Sequence, residues 1–272
     1  MNPLALPDLR QPWWAPYAGT APPLFAALAQ GAAVDQALAA RPSPIELSAG
    51  PLRFVAPASA PPGEAYEAFI ARSACVPSRH NLHDLFNGLV WLTFPHIKRR
   101  LNVLQAEEIA RAGIGASRGP LRDALTLFDE NGALLDGPAP LREALLARDW
   151  RSLFITRRQL WHEARIVVFG HALLEKLATS PRKALTAHVL LAPPGLPSRA
   201  DASADFHGGA WVEAIDRRWL ASKPFAHLPV LGIPGWCPEN ENFSFYDDSD
   251  VFRPRRAPEE RTTRQHLHSR SA

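Results

Sequence analysis

Apolar residues recur along this chain with two periods, and proline or glycine marks most of the breaks between them. Residues 24–40 carry a helical spacing, weakened at Gly31 and ended by Pro42 and Pro44. Residues 45–57 predict a hairpin, two β-prone runs flanking Ser48-Ala49-Gly50-Pro51. Helices are predicted over Gly63–Ala74, Asn81–Thr93 and 97–112, the last ending at Gly113. In 124–135, apolar runs flank Asp129-Glu130-Asn131-Gly132, and Asn-Gly supplies the positive φ of a tight hairpin. Further helices are predicted over 139–149, 157–178 and 209–222, and a strand over 184–192.

The ends read differently. Residues 1–23, rich in proline and tryptophan, predict an extended arm anchored by Trp13 and Trp14. Residues 224–254 predict an irregular, aromatic-rich wrap, and 255–272 a disordered Arg-rich tail. Strands and helices do not alternate in a βαβ rhythm. The expected fold is therefore α+β: a helix-rich single domain over 1–254 with a small antiparallel sheet.

Two helical segments carry candidate chemistry. In 80–94, Leu82, Leu85, Phe86, Leu89 and Leu92 form an apolar face. His80, His83, Asp84 and Asn87 gather opposite, joined a turn later by Trp91. The stripe is either the solvent face of a helix capped by Asn81 or the wall of a cleft. An aromatic residue on it favours the cleft. In 157–178, Arg165 and Lys176 share a stripe that faces water, while His171 and Glu175 fall among apolar neighbours. A buried charge must be paired. These two residues either pair structurally or form a His–carboxylate unit for acid–base work or a metal. Beyond them, Lys183, Thr186 and His188 follow that helix, and Arg118, Arg122 and Asp123 precede the 124–135 segment. Arg122, Lys183 and His188 are candidates for holding a substrate.

Charge narrows the partners. The formal net charge is +3, but six of the 30 basic residues and two of the 27 acidic ones lie in 253–272. That leaves 24 basic against 25 acidic residues in the body, so nucleic acid is expected to bind only weakly, through the tail. Cys75 and Cys237 are too few for a disulfide framework or a cysteine zinc site, which fits a reducing compartment. No signal-peptide pattern and no membrane-spanning run are visible, and the expected setting is the cytoplasm.

The standard signatures for phosphate-cradling loops, dinucleotide folds, zinc proteases and serine hydrolases are absent from the sequence. His83-Asp84 lacks the upstream histidine of a metal phosphohydrolase. HNLHD lies on a predicted helix rather than in a nuclease hairpin finger. The acid-rich runs 239–242 and 247–250 lack the central glycine of a calcium loop.

Seven blocks in order carry a family resemblance: NLHDLFNGLVWLTFP (81–95), KRRLN (98–102), RDALTLFDENGALL (122–135), FGHALLEK (169–176), PRKALTAH (181–188), GIPGWCPENE (232–241) and FYDDSDVFRP (245–254). The chain resembles an uncharacterised proteobacterial family catalogued as a domain of unknown function, the DUF3025-like family. The resemblance implies a cytosolic single-domain protein and no activity.

The residues themselves support two readings. In one, the chain is a hydrolase-like enzyme in which His83, Asp84 and Asn87 face His171 and Glu175 across a cleft. A divalent metal would be its cofactor and a small molecule its substrate. In the other, it is a non-catalytic binding or scaffold protein whose polar groups form structural hydrogen-bond networks.

Overall fold

The N-terminal segment is held by its tryptophans. Trp13 and Trp14 are buried, and Trp14 packs against Phe86 with ring centroids 5.4 Å apart. Part of the segment expected to be extended is a 3-10 helix, Pro12–Tyr17, and the Tyr17 hydroxyl donates to the Val168 carbonyl at 2.7 Å. This computed structural model describes residues 4–43, 45–113, 119–191, 211–212 and 215–255.

The helical run after it divides into α1 (Ala21–Ala29) and α2 (Val34–Ala39). The break falls at Gly31, whose φ of +91° only glycine adopts without strain. The predicted 45–57 hairpin is present only as a two-residue pair, β1 (Glu46–Leu47) with β2 (Gly50–Pro51). β3 (Arg53–Val55) instead runs parallel to β4 (Cys75–Pro77), beyond α3 (Tyr66–Ser73). α4 (Leu82–Thr93) begins at Asn81, whose Oδ1 accepts from the Asp84 amide at 2.8 Å. Pro95 opens α5 (Pro95–Ala112), where its missing N–H costs nothing.

Two predictions fail in the middle of the chain. Residues 124–135 are not a hairpin. They are the end of α6 (Pro120–Asn131) followed by β5 (Gly132–Asp136). Leu121, Ala124, Leu125 and Phe128 form the buried face of that helix. Gly132 has φ −76°, so Asn131-Gly132 makes no positive-φ turn. Glycine is needed there for space, since a Cβ would stand 2.3 Å from the Phe128 carbonyl oxygen.

After α7 (Ala139–Ala147), residues 157–178 are not one helix either. They hold a 3-10 turn (Arg158–His162), β6 (Arg165–Val168) and α8 (His171–Thr179). The β-branched run Ile166-Val167-Val168 prefers the sheet, and the chain turns at Gly170. Arg165 and Lys176 thus share no helical stripe.

β7 (Thr186–Leu191) forms within the predicted strand, and the helix expected over 209–222 appears as α9 (Arg217–Ala221) with a helical turn at 211–212. Most of the tail, 256–272, lies outside the described residues, as does Arg118. With β8 (Ala226–Pro229) the main sheet has the order β6-β5-β7-β8. It is mixed rather than purely antiparallel, because β5 and β7 run parallel while the outer pairs are antiparallel. The class is α+β, a single helix-rich domain. The stretch after β8 wraps the body. Tyr246 stacks on Phe154 at 5.0 Å, and buried Asn240 donates to the carbonyls of Leu231 and Ile233. Among the described residues no helix is long and apolar enough to cross a membrane.

α4 packs on α8, and α8 on α6. This meeting of three helices positions the polar residues of the next section.

Candidate metal centre

His171 is the first residue of α8, and the packing of α8 aims it at the end of α6 and the start of α4. Its Nε2 lies 3.1 Å from His83 Nε2 and 3.6 Å from a Glu130 carboxylate oxygen. One ligand atom from each of His83, Glu130 and His171 can be chosen so that all lie within 4.8 Å of one another.

The second ring nitrogens face carboxylates. His83 Nδ1 is 3.1 Å from Glu175 Oε2, and His171 Nδ1 is 3.7 Å from Asp129 Oδ2. His171 Nδ1 is buried with no hydrogen-bond partner among the described residues. A proton on each Nδ1 suits these carboxylates. His171 Nε2 then faces both His83 Nε2 and the Glu130 carboxylate, a grouping of three donors that suits a cation.

The electrostatics favour the neutral, donor form of His171. Burial drops the His171 pKa to about 4, with Lys98 and His83 adding to the fall against the pull of Asp129. The positive end of α8 also disfavours an imidazolium at its first residue. Burial raises Glu130, while His83 and Lys98 oppose the rise. Burial pushes Asp129 upward too, but Lys98 and His171 outweigh it, and its carboxyl sits below the ordinary value. Lys98 is 4% exposed and donates to Asp129 at 2.6 Å and to Asn87 at 2.8 Å, with its ammonium over the Trp91 ring.

The group opens on a cavity of about 400 Å³ whose lining includes Tyr66, Arg79, Asp84, Asn87 and Gln105. A second cavity, of about 410 Å³, is lined by Pro12, Trp161, Ile166 and Trp236 among others. Among the described residues it holds no such cluster, and its His162 and Arg165 already have partners.

The stripe on α4 is therefore no solvent face. Asp84, Asn87 and Trp91 are buried and His83 is half-buried. The residues expected from sequence take different places. His83, His171 and Glu175 meet, although Glu175 pairs with His83 rather than with His171 four residues before it on α8. Asp84 lines the cavity with its carboxylate engaged by the Arg79 amide and guanidinium. Asn87 bridges Lys98 and the Tyr66 hydroxyl.

Three expected substrate-binding residues are not in the cavity lining. Lys183 pairs with Asp248 at 3.1 Å and lies over Phe245 in the C-terminal wrap. His188 faces His227 across the β7–β8 pair, ring centroids 4.9 Å apart. Arg122 stands a turn before the lining residue Thr126, its Nε buried without a hydrogen-bond partner among the described residues.

Sequence reasoning missed Glu130, Asp129, Lys98 and Tyr66. Asp129 and Glu130 fall in the segment whose Asn131-Gly132 pair predicts a turn. Two acids ending a helix run against its dipole, and that conflict was the available signal once 120–131 is read as helical.

Residues 52–256 match the family described as protein of unknown function (DUF3025). The chain belongs to this family. The match takes in every residue of the cluster and of the cavity lining. No curated protein and no solved structure matches the chain.

Proposed function

We propose that the chain is a metal-dependent enzyme of hydrolase type, with a divalent transition metal held by His83 Nε2, His171 Nε2 and the Glu130 carboxylate. The observation that carries this reading is the convergence of three lone-pair donors with carboxylates behind both imidazoles. Ligand atoms about 2.0–2.1 Å from a tetrahedral zinc stand roughly 3.3–3.4 Å apart. The two separations from His171 Nε2, 3.1 Å and 3.6 Å, bracket that value, and one atom from each of the three residues lies within 4.8 Å of the others.

Three protein ligands beside an open cavity are the pattern of a catalytic site, which leaves a position for water or substrate. A metal there would lower the pKa of its bound water and polarise a substrate carbonyl or phosphoryl group. Glu175 orients His83, Asp129 faces the outer nitrogen of His171, and Lys98 offsets the charge of Asp129. Asp84 and Asn87 hold the cavity wall. The two unpaired cysteines, Cys75 and Cys237, support a cytoplasmic setting.

Cobalt substitution tests the reading. Titrating metal-free protein with Co(II) should produce the intense visible bands of a low-coordinate N/O site, at one equivalent. His83→Ala, His171→Ala and Glu130→Gln should each abolish them while far-ultraviolet circular dichroism stays native. Bands unaffected by all three substitutions would overturn it. The scaffold alternative predicts no saturable metal binding.

A further inference from the structure

The other walls of the same cavity carry information about what it seats. Its lining includes Tyr66 and Glu67 from α3 and Gln105 from α5, two helices that pack on each other. Asn102 Nδ2 pins the pair by donating to the Glu67 carbonyl at 2.9 Å.

The positive charges around the cavity are committed. Arg79 pairs with Asp84 at 2.9 Å, and Lys98 with Asp129 at 2.6 Å. Glu130 belongs to the metal cluster. Glu67 is left, its carboxylate without an ion-pair or hydrogen-bond partner among the described residues. Gln105 is 5% exposed, yet its amide also lacks a partner among the described residues and borders the cavity. An amide that opens on the cavity can meet a polar group of a ligand there.

A second phosphate or carboxylate in this cavity would meet an uncompensated Glu67, while the one arginine of the lining, Arg79, is already paired with Asp84. An ammonium would meet the Glu67 carboxylate and the Gln105 amide oxygen. We propose that the pocket selects an amine-bearing small molecule, received at its ammonium by Glu67 and Gln105 while its reacting group faces His83, Glu130 and His171. The inference rests on the metal reading and names the substrate class of that site.

The test uses the zinc-loaded full chain, its metal content measured beforehand, and three ligands with the same metal-binding head. β-Alanine hydroxamate ends in an ammonium, succinic monohydroxamate in a carboxylate and propanohydroxamate in a methyl group. Calorimetry should show the ammonium-tailed probe binding about tenfold tighter than the carboxylate-tailed one, the size expected for one partly buried charge contact. Glu67→Gln and Gln105→Leu should each shrink that ratio toward one, with propanohydroxamate still bound through its head group. An equal or reversed ratio in the wild type, or a ratio that survives Glu67→Gln, overturns the proposal. So does failure of all three to bind a chain that holds its zinc, since the head group would then have no open position. A chain that takes up no zinc overturns the metal reading beneath it.

Discussion

Gly170 lies so close to the end of α6 that a β-carbon on it would stand 2.5 Å from the Glu130 carbonyl oxygen. The amides of Phe169 and Gly170 both donate to the Gly132 carbonyl, at 3.0 and 2.8 Å. This backbone contact sets the distance between His171, the next residue, and Glu130. Gly170→Ala should therefore force the two apart. Strain of this kind costs about 1–3 kcal/mol, which urea denaturation would register. Metal affinity should fall in the same variant, although no ligand has been changed.

The Lys98–Asp129 pair predicts a different response. Lys98→Met leaves Asp129 without its ammonium in a mostly buried place. Breaking such a pair costs roughly 3–5 kcal/mol, whereas replacing both partners by apolar groups is often neutral. Lys98→Met should destabilise by about that amount, and the double variant Lys98→Met/Asp129→Leu should recover most of it. A double variant no more stable than the single one in urea would show that the pair is not coupled in this way.

In the proposed site Glu175 would act through His83, whose Nδ1 lies 3.1 Å from it, rather than on the metal. Glu175→Gln should weaken metal affinity about 10–100-fold, the usual effect of losing a carboxylate behind a ligating histidine. Lys183→Met should leave that affinity unchanged, because Lys183 is engaged with Asp248 in the C-terminal wrap. Competition with a chromophoric chelator measures both.

His188 gives the protein a pH-dependent stability outside the cluster. Burial, aided by His227, lowers its pKa from 6.5 to about 4. The groups facing it are His227 and Phe225, and Arg148 lies 3.0 Å from His227 Nδ1. Below pH 6.5 the unfolded chain takes a proton that the folded chain refuses until about pH 4. The contribution is present above the unfolded pKa and is lost as pH falls through this window. His171 contributes with the same sign, so the comparison is with His188→Val in metal-free protein. Urea midpoints should depend less steeply on pH in the variant between 6.5 and 4. Parallel curves would contradict the assignment.

Half of the site was legible in the sequence because α4 was. The Asn81 cap and the period of Leu85, Phe86 and Leu89 placed His83, Asp84 and Asn87 correctly on one stripe. His171 and Glu175 were legible as polar residues among apolar ones, which burial makes conspicuous. Glu130 was hidden by Asn131-Gly132, a turn signal that here ends a helix because Phe128 leaves no room for a side chain. The break of 157–178 into strand and helix was hidden because β6 and α8 together mimic one helical period. Local pattern cannot reveal that β6 is drawn into the sheet by its pairing with β5, a contact made across some thirty residues. Lys98 carried no local mark, since only the fold brings α5 to Asp129.

The central claim is that His83, Glu130 and His171 hold one metal ion. Elemental analysis of the purified protein, dialysed after exposure to zinc, measures it directly. About one zinc per chain in the wild type, and about a tenth of that or less in a natively folded His171→Ala, is the predicted result. A wild-type chain that retains no metal, or a His171→Ala chain that retains a full equivalent, would contradict the account.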